Sequence, residues 1–476
     1  MDSLLDESRV RRARSVADEI DASYAVRERN RRYREFRLEA SPDGGAVLCL
    51  EDISGIPFVS EIPGVEEYQH RARVRAGDGD LFAAVTPPSP GYEDYNREVL
   101  HLGKPDLVIA EPPADNPMAV AVACARGEAF ERIREFGHER GGLVIHPYMA
   151  IETVWTLAEK LADEGVSTSV LGPPPPVLWI ANDKARIAEI NDKLFDQPWN
   201  VETQVERKPE QMVRQLGKMA ARFPRVGLKR TRCASATGNL VFDSSNVTEA
   251  EGQVVLRRVR RFLNRTEWKE GEEVLVVEWF DSTHSPSTQT WIPPKEEGLP
   301  RLDGVYEQLL KSEERIFVGS KPSTLPEDIN ESIGRASLAV GVVLQELGYV
   351  GRCSFDFVVG GDVDGEWEAR MIECNGRWGG TSTPMHLVDR VVEGPRPPYV
   401  AMDYVHSELV GATFDDVLDA TRERLYRPET GDGRFIFYNV GPLARTGKFD
   451  VVSIGETPED ARAGTEEILP QLLGLD

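Results

Sequence analysis

Cysteine is scarce in this 476-residue chain, and none of Cys49, Cys124, Cys233, Cys353 and Cys374 falls in a CxxC pair. That argues against a disulfide framework and predicts reduced, mostly buried thiols in a cytoplasmic protein. Long apolar runs are also missing. No stretch approaches the roughly 18 residues of a membrane span, and no apolar segment follows Arg11-Arg12 to make a secretion signal. There is no GxxxxGK[ST] and no GxSxG, and the seven histidines show no Ser/His/Asp organisation. A P-loop and a serine-hydrolase elbow are thereby set aside. Positive charge is the minority, with 56 Lys+Arg against 80 Asp+Glu and a formal charge of −24. Such a surface disfavours non-specific binding to nucleic acid or to an anionic membrane. Any phosphate site has to be assembled locally from a few basic groups.

The chain is longer than one core sustains, and domains of roughly 100–200 residues suggest two to four. Residues 6–40 are dense in charge and free of internal Pro and Gly. They read as a helix or helix pair, solvated or subunit-contacting. The basic run 29–34 has acidic residues around it and is not taken as a nucleic-acid arm. From residue 76 strands alternate with helices, the pattern of βαβ units on a parallel sheet. Pro173–Pro176 marks either a boundary or a stiff loop. Beyond it, "VGLKRT", "EEVLVVEWF", "SPSTQTW", "RCSFDFVVGG" and "ARMIECN" read as strands. No internal repeat is evident.

The stretch "MIECNGRWGGTSTPMH", residues 371–386, carries the densest chemistry. On a strand, alternation puts Glu373 and Asn375 on one face and Cys374 on the other. Adjacent oxygen donors suit a hard cation such as Mg²⁺. Arg377 is placed to clamp an anion, and Gly379-Gly380 permits close backbone approach. Taken alone the stretch reads equally well as a polar strand end. Upstream, Lys184 sits where a strand is expected to enter a helix, and Lys229 lies on a strand before the small-residue loop 233–239. Those two lysines could neutralise phosphates whose oxygens meet the backbone N–H groups of Ser235, Thr237 and Gly238. The strand ending at Glu278, Trp279 and Phe280 offers backbone groups to an adenine edge. Asp356 precedes a hairpin-like turn, so antiparallel pairing would set it beside Glu373 and Asn375. A salt-bridge network with Arg352 and Arg377 remains the structural alternative.

This ordered series resembles the ATP-grasp superfamily of carboxylate–amine ligases over residues 76 to roughly 400. The segments "RVRAGDGDLFAAVTPPSPGYEDY", "ECNGRWGGTSTPMHLVDRVVEG", "PPYVAMDY" and "KFDVVSIGETPEDA" are similar to pheganomycin-type peptide ligases. The resemblance implies an α/β (α+β) class: an ATP-grasp fold preceded by a Rossmann-like pre-ATP-grasp domain, with a helical N-terminal extension. The corresponding divisions are residues 1–75 (extension), 76–180 (pre-ATP-grasp), 181–290 (lid subdomain) and 291–476 (C-terminal subdomain with a mixed tail). It implies ATP as cosubstrate, with Lys184, Lys229, Ser235, Thr237 and Gly238 on its phosphates and Glu278, Trp279 and Phe280 at the adenosine. Asp356, Glu373 and Asn375 would hold two Mg²⁺ ions, for which Mn²⁺ can substitute. Arg352 and Arg377 would stabilise charge on the transferring phosphate and the tetrahedral intermediate. The partners implied are a small-molecule carboxylate and an amino-acid or peptide amine, with a homodimer as one assembly. The segment Thr381–His386 is expected to face the substrate. Two other readings stay open: phosphoryl transfer without an amine acceptor, and a non-catalytic nucleotide-binding protein.

Overall fold

A computed structural model describes residues 4–38, 46–233, 236–311 and 316–475. Ser235 lies outside them. The charged N-terminus forms the helix Glu7–Tyr24, opened by Asp6, whose carboxylate accepts from the Arg9 N–H at 2.8 Å. Its apolar stripe (Val10, Ala13, Ala17, Ile20) is not left for solvent or another subunit. It is buried in one core with Ile329, Ile333 and Val340 of the long helix Glu327–Glu346.

Five short strands build a parallel sheet: β1 (Val47–Leu50), β2 (Leu81–Ala84), β3 (Asp106–Ile109), β4 (Leu143–Pro147) and β5 (Thr168–Val170). Their order is β3-β2-β1-β4-β5. The central strands are apolar on both faces because helices or other segments cover each side. The order reverses between β1 and β4, so their carboxyl ends open a crevice, the usual ligand position in such sheets. Glu51 follows β1 there and Tyr148 follows β4.

A four-stranded antiparallel sheet comes next: β6 (Thr203–Glu206), β7 (Arg225–Arg230), β8 (Asn239–Asp243) and β9 (Val274–Glu278), in the order β6-β9-β7-β8. Helices Pro209–Ala220 and Gly252–Arg265 close its core. The largest sheet is antiparallel and contains β10 (Pro286–Ile292), β11 (Arg301–Lys311), β12 (Ile316–Pro322), β13 (Gly351–Gly361), β14 (Trp367–Asn375), β15 (Tyr399–Val405), β16 (Phe435–Tyr438) and β17 (Lys448–Ile454). It runs β14-β13-β10-β11-β12-β15-β17-β16.

Sheet membership crosses the divisions expected from sequence. β1 lies before residue 76 yet is the centre of the parallel sheet, and β10 straddles residue 290 yet belongs to the large sheet. Pro175 and Pro176 open the helix Pro175–Ala181, where proline's missing N–H costs nothing. The proline run is therefore a helix start, not a linker. None of the five cysteines is in a disulfide, and Cys233 alone is only partly buried. Among the described residues no helix is long and apolar enough to cross a membrane.

Candidate active site

Three strands put their polar residues in one row. Ser287 on β10, Asp356 on β13 and Glu373 on β14 are successive register partners. The expected antiparallel pairing of the Asp356 and Glu373 strands is thus present, with a register shift just after Asp356 that re-aims the ladder. Ser287 Oγ donates to Asp356 Oδ1 at 2.7 Å, and Asn375 Nδ2 donates to Asp356 Oδ2 at 2.9 Å. Burial, followed by the facing Glu373 carboxylate, pushes the Asp356 carboxyl up to about 7.

Glu373 is held the other way. Burial raises its carboxyl, but Lys184, then Lys229 and Arg377, outweigh that and keep it below the usual range. Lys184 Nζ lies 2.7 Å from Glu373 Oε2 and donates to the Cys233 carbonyl at 3.2 Å. One ammonium therefore ties the carboxylate row to the start of the small-residue loop. Lys184 is the first residue of the helix Lys184–Leu194, reached from another helix and not from a strand as expected. Asp183 caps that helix through the Ala185 and Arg186 N–H groups.

Lys229 sits on β7, as the alternation of "VGLKRT" predicts, with Nζ 4.9 Å from the Trp279 ring centroid. Between the two lysines is a narrow cavity of mixed lining, with Val201, Leu275, Val277 and Met371 beside Asn200 and Thr203. Trp279 and Phe280 pack against the same small core. The Glu278 carboxylate is engaged by the neighbouring backbone, accepting from the Glu202 N–H at 3.2 Å. The Glu278 backbone N–H is engaged as well, donating to the Glu202 carbonyl at 2.9 Å, and the Trp279 N–H donates to the Arg225 carbonyl at 3.0 Å. Thr237 accepts through its carbonyl from Arg265 at 3.3 Å, and Gly238 packs tightly on the Cys233 side chain.

Arg377 donates to the Asn375 amide oxygen at 3.0 Å and to the Tyr148 hydroxyl at 3.0 Å. The Asn375 oxygen therefore faces Arg377 and its nitrogen faces Asp356; turning the amide over would exchange them. Arg352, expected to stabilise charge in the reaction, has its own ion pair. It is paired with Asp303 and sits beside the rings of Trp291 and Trp378, at 5.4 and 5.7 Å. In the segment Thr381–His386, the His386 ring packs on Trp378 at 5.3 Å. Ser382 and Thr383 are buried in the helix Ser382–Val391, and Ser382 Oγ holds the glycine turn by accepting from the Gly379 N–H.

The donor set fits a divalent cation. Asp356 and Glu373 are hard oxygen donors whose mutual repulsion a cation between them would relieve. Among the described residues no three His, Cys, Asp or Glu side chains group as a metal site. An ion here would complete its shell with Asn375, phosphate oxygens and water. Sequence reasoning missed Ser287, Tyr148 and Asn182. Asn182 accepts from the Gly376 N–H at 3.1 Å and so braces the turn after Asn375. Only the same-face spacing of Ser287 within "SPSTQTW" was a visible signal.

With this geometry in hand, residues 69–162 match the pre-ATP-grasp domain family. No curated protein matches by sequence. Solved structures share the whole layout. The ADP complex of an N5-carboxyaminoimidazole ribonucleotide synthetase superposes with a TM-score of 0.53 at 13% identity, covering 92% of this chain and 98% of that one. The chain has an ATP-grasp fold. The Staphylococcus aureus N5-carboxyaminoimidazole synthetase with ADP gives a TM-score of 0.51 at 10% identity, covering 92% and 99%. The biotin carboxylase domain of Hydrogenobacter thermophilus 2-oxoglutarate carboxylase, with MgADP, ADP and bicarbonate, gives 0.53 at 13%, covering 90% and 93%. At these identities the ATP-grasp likeness is one of fold.

Proposed function

We propose that the protein is an ATP-dependent, ADP-forming ligase of the cytoplasm that joins a carboxylate to an amine, making an amide or peptide bond. The observation that carries this reading is the row Ser287–Asp356–Glu373, held by Lys184 beside the cavity that Lys229 also lines. A purely structural carboxylate pair gains nothing from facing like charge on adjacent strands. A phosphate-and-metal site requires it.

Carboxylates do not acylate amines directly, because oxide is a poor leaving group. In the proposed reaction a substrate carboxylate oxygen attacks the γ-phosphorus, the bond to the β,γ-bridging oxygen breaks, and ADP leaves. The amine nitrogen then attacks the acyl carbon, inorganic phosphate departs, and the nitrogen loses a proton. Lys184 and Lys229 would bind phosphate oxygens, and the walls between them would exclude water from the base. Arg377, oriented by Tyr148 and Asn375, would face the transferring phosphoryl group. Mg²⁺ held by Asp356, Glu373 and Asn375 would supply neutralisation of phosphate charge. The peptide-ligase resemblance favours an amino acid or peptide as the amine.

The test is incubation with MgATP and pooled amino acids and peptides, following nucleotide products and new amide masses. ADP with a new amide supports the reading, AMP refutes an acyl phosphate, and a stable phosphorylated product without amide favours phosphoryl transfer. Glu373→Ala and Asn375→Ala should fold and lose Mg²⁺-dependent ADP release by about a hundredfold, the scale of one lost charge-stabilising group. Unchanged turnover would remove these residues from the site.

A further inference from the structure

The proposed ligase chemistry accounts for the carboxylate row but not for a second set of buried charges on the far side of Arg377. These groups form a continuous seam from the crevice at the carboxyl ends of β1 and β4 to the face of β15 and β17. Arg377 hydrogen-bonds the Tyr148 hydroxyl. The Arg71 guanidinium lies 5.4 Å from the Tyr148 ring and 4.4 Å from the Tyr68 ring. Lys448 Nζ reaches the Tyr68 hydroxyl and lies 2.5 Å from Asp403. Asp403 and Asp450 are direct cross-strand partners, so two carboxylates share one face with one lysine between them.

The two ends of the seam differ in sign. Near the crevice Glu51 faces both Arg71 and Arg75, while Arg75 and Arg352 flank Trp378, so positive charge is in excess. The same excess, after burial, keeps His386 and His146 neutral. At the far end acceptors are in excess. Asp450 is 2% exposed; its Oδ2 takes the Asn439 Nδ2 at 2.8 Å, and its Oδ1 has no hydrogen-bond partner. Asn439 is fully buried, its Oδ1 is also unpartnered, and its backbone is held at φ 51°, a conformation that costs a non-glycine residue energy. Two unpartnered oxygens on adjoining buried side chains, next to paired carboxylates, call for a hydrogen-bond donor, and the carboxylates beside them favour one that carries positive charge.

The geometry points to a cation subsite at Asp450, Asn439 and Asp403 that receives an ammonium or guanidinium group of the substrate, at the end remote from the reacting atoms. The inference rests on the ligase reading for the word substrate. Tyr148, Arg71, Tyr68 and Lys448 separate this subsite from Arg377, so the cation is not the reacting amine. A zwitterionic amino acid or peptide laid along the seam would set its anionic end among the arginines and its positive group at Asp450. Its charge would match the sign at each end. Burial, then Asp403, raises the Asp450 carboxyl to about 7, in keeping with a carboxylate that lacks its full complement of positive partners.

Arginine and citrulline differ by that charge with little change of shape. Calorimetric titration of each into the full chain, saturated with Mg²⁺ and a non-hydrolysable ATP analogue, measures the subsite without turnover. Arginine should bind about tenfold tighter or more, the scale of one charged hydrogen bond. Asp450→Asn should bring the ratio close to one while keeping the nucleotide-analogue affinity. Asn439→Gly, which also accommodates the positive φ, should reduce the ratio severalfold in a protein that still folds. Equal binding of the pair to the wild type, or a ratio unmoved in both variants, overturns the subsite and assigns these residues to structure. Failure of the ligase reading shows separately, as absent ADP release with every acid and amine.

Discussion

Lys184 offers the sharpest energetic test, because one side chain holds both the carboxylate row and the loop at Cys233. Its Nζ is 2.7 Å from Glu373 Oε2, with side-chain exposures of 10% and 27%. At an effective dielectric of about 20, Coulomb attraction at that distance is about 6 kcal/mol. Desolvating the ammonium cancels much of it, so the pair itself adds little net stability. Removing one partner is different, because Lys184→Met leaves Glu373 facing Asp356 without its cation. Breaking a buried pair costs about 3–5 kcal/mol, and the partial exposure of Glu373 argues for the lower end. Glu373→Gln removes the stranded charge, so Lys184→Met/Glu373→Gln should recover about 2 kcal/mol relative to Lys184→Met. Urea unfolding of the wild type, both singles and the double, in metal-free buffer, gives the cycle. A double variant no more stable than Lys184→Met would refute the argument that the lysine's structural task is to compensate Glu373. So would a Lys184→Met protein as stable as the wild type.

Two further outcomes follow from particular contacts. A Cβ on Gly360 would lie 2.6 Å from the Asp281 carbonyl and 2.9 Å from the Phe280 ring. Gly360→Ala should therefore displace the segment after β9 and raise KM for ATP severalfold with a smaller change in kcat; unchanged KM would detach that segment from nucleotide binding. Asp450 faces Asp403, Lys448, Arg71 and Asn439, and its carboxyl is raised from 3.8 to about 7, so its ionisation costs stability as pH climbs through that interval. Asp450→Asn should accordingly stabilise the unliganded protein at pH 8.5, by no more than about 4 kcal/mol, and by about half as much at pH 5.5, where the wild-type group is protonated in the folded chain but already ionised in the unfolded one. Thermal unfolding at the two pH values checks the sign, and equal shifts at both would contradict it.

Much of the site is legible in the sequence where strand periodicity governs. Alternation in "RCSFDFVVGG" and "ARMIECN", with a turn between them, suffices to bring Asp356 opposite Glu373, as the register has it. The same rule places Lys229. Periodicity does not report partners distant in the chain. Asn182 and Gly376 are 194 residues apart, Arg377 and Tyr148 are 229 apart, and Ser287 is 69 from Asp356. Each is an ordinary polar residue until the tertiary fold supplies its contact. The ion pair of Arg352 with Asp303 was hidden for a related reason. Alternation gives a face, but Asp303 on β11 decides which part of that face the guanidinium reaches. The helix start at Lys184 is as expected, but the element before it is a helix opened by Pro175 and Pro176, because proline at a helix start looks in the sequence like a boundary or a stiff loop.

Those long-range contacts explain why the chemistry and the crevice belong to one machine. The turn after Asn375 is fastened by groups from outside its own sheet. Gly376 exchanges hydrogen bonds with Asn182, donating at 3.1 Å and accepting at 3.4 Å. The Trp378 N–H donates to the Tyr148 carbonyl at 3.0 Å, while Arg377 holds the Tyr148 hydroxyl. Tyr148, at the switch point of the parallel sheet, thus fixes both Arg377 and the Trp378 ring that borders the basic part of the seam. Tyr148, Arg75 and Trp378 stand together with Arg377 at that crevice. Proximity of this kind lowers a barrier only if the holding groups do not themselves move. The backbone hydrogen bond from Trp378 to Tyr148, with the Asn182 amide bonded to both polar groups of Gly376, meets that requirement better than contacts between side chains alone.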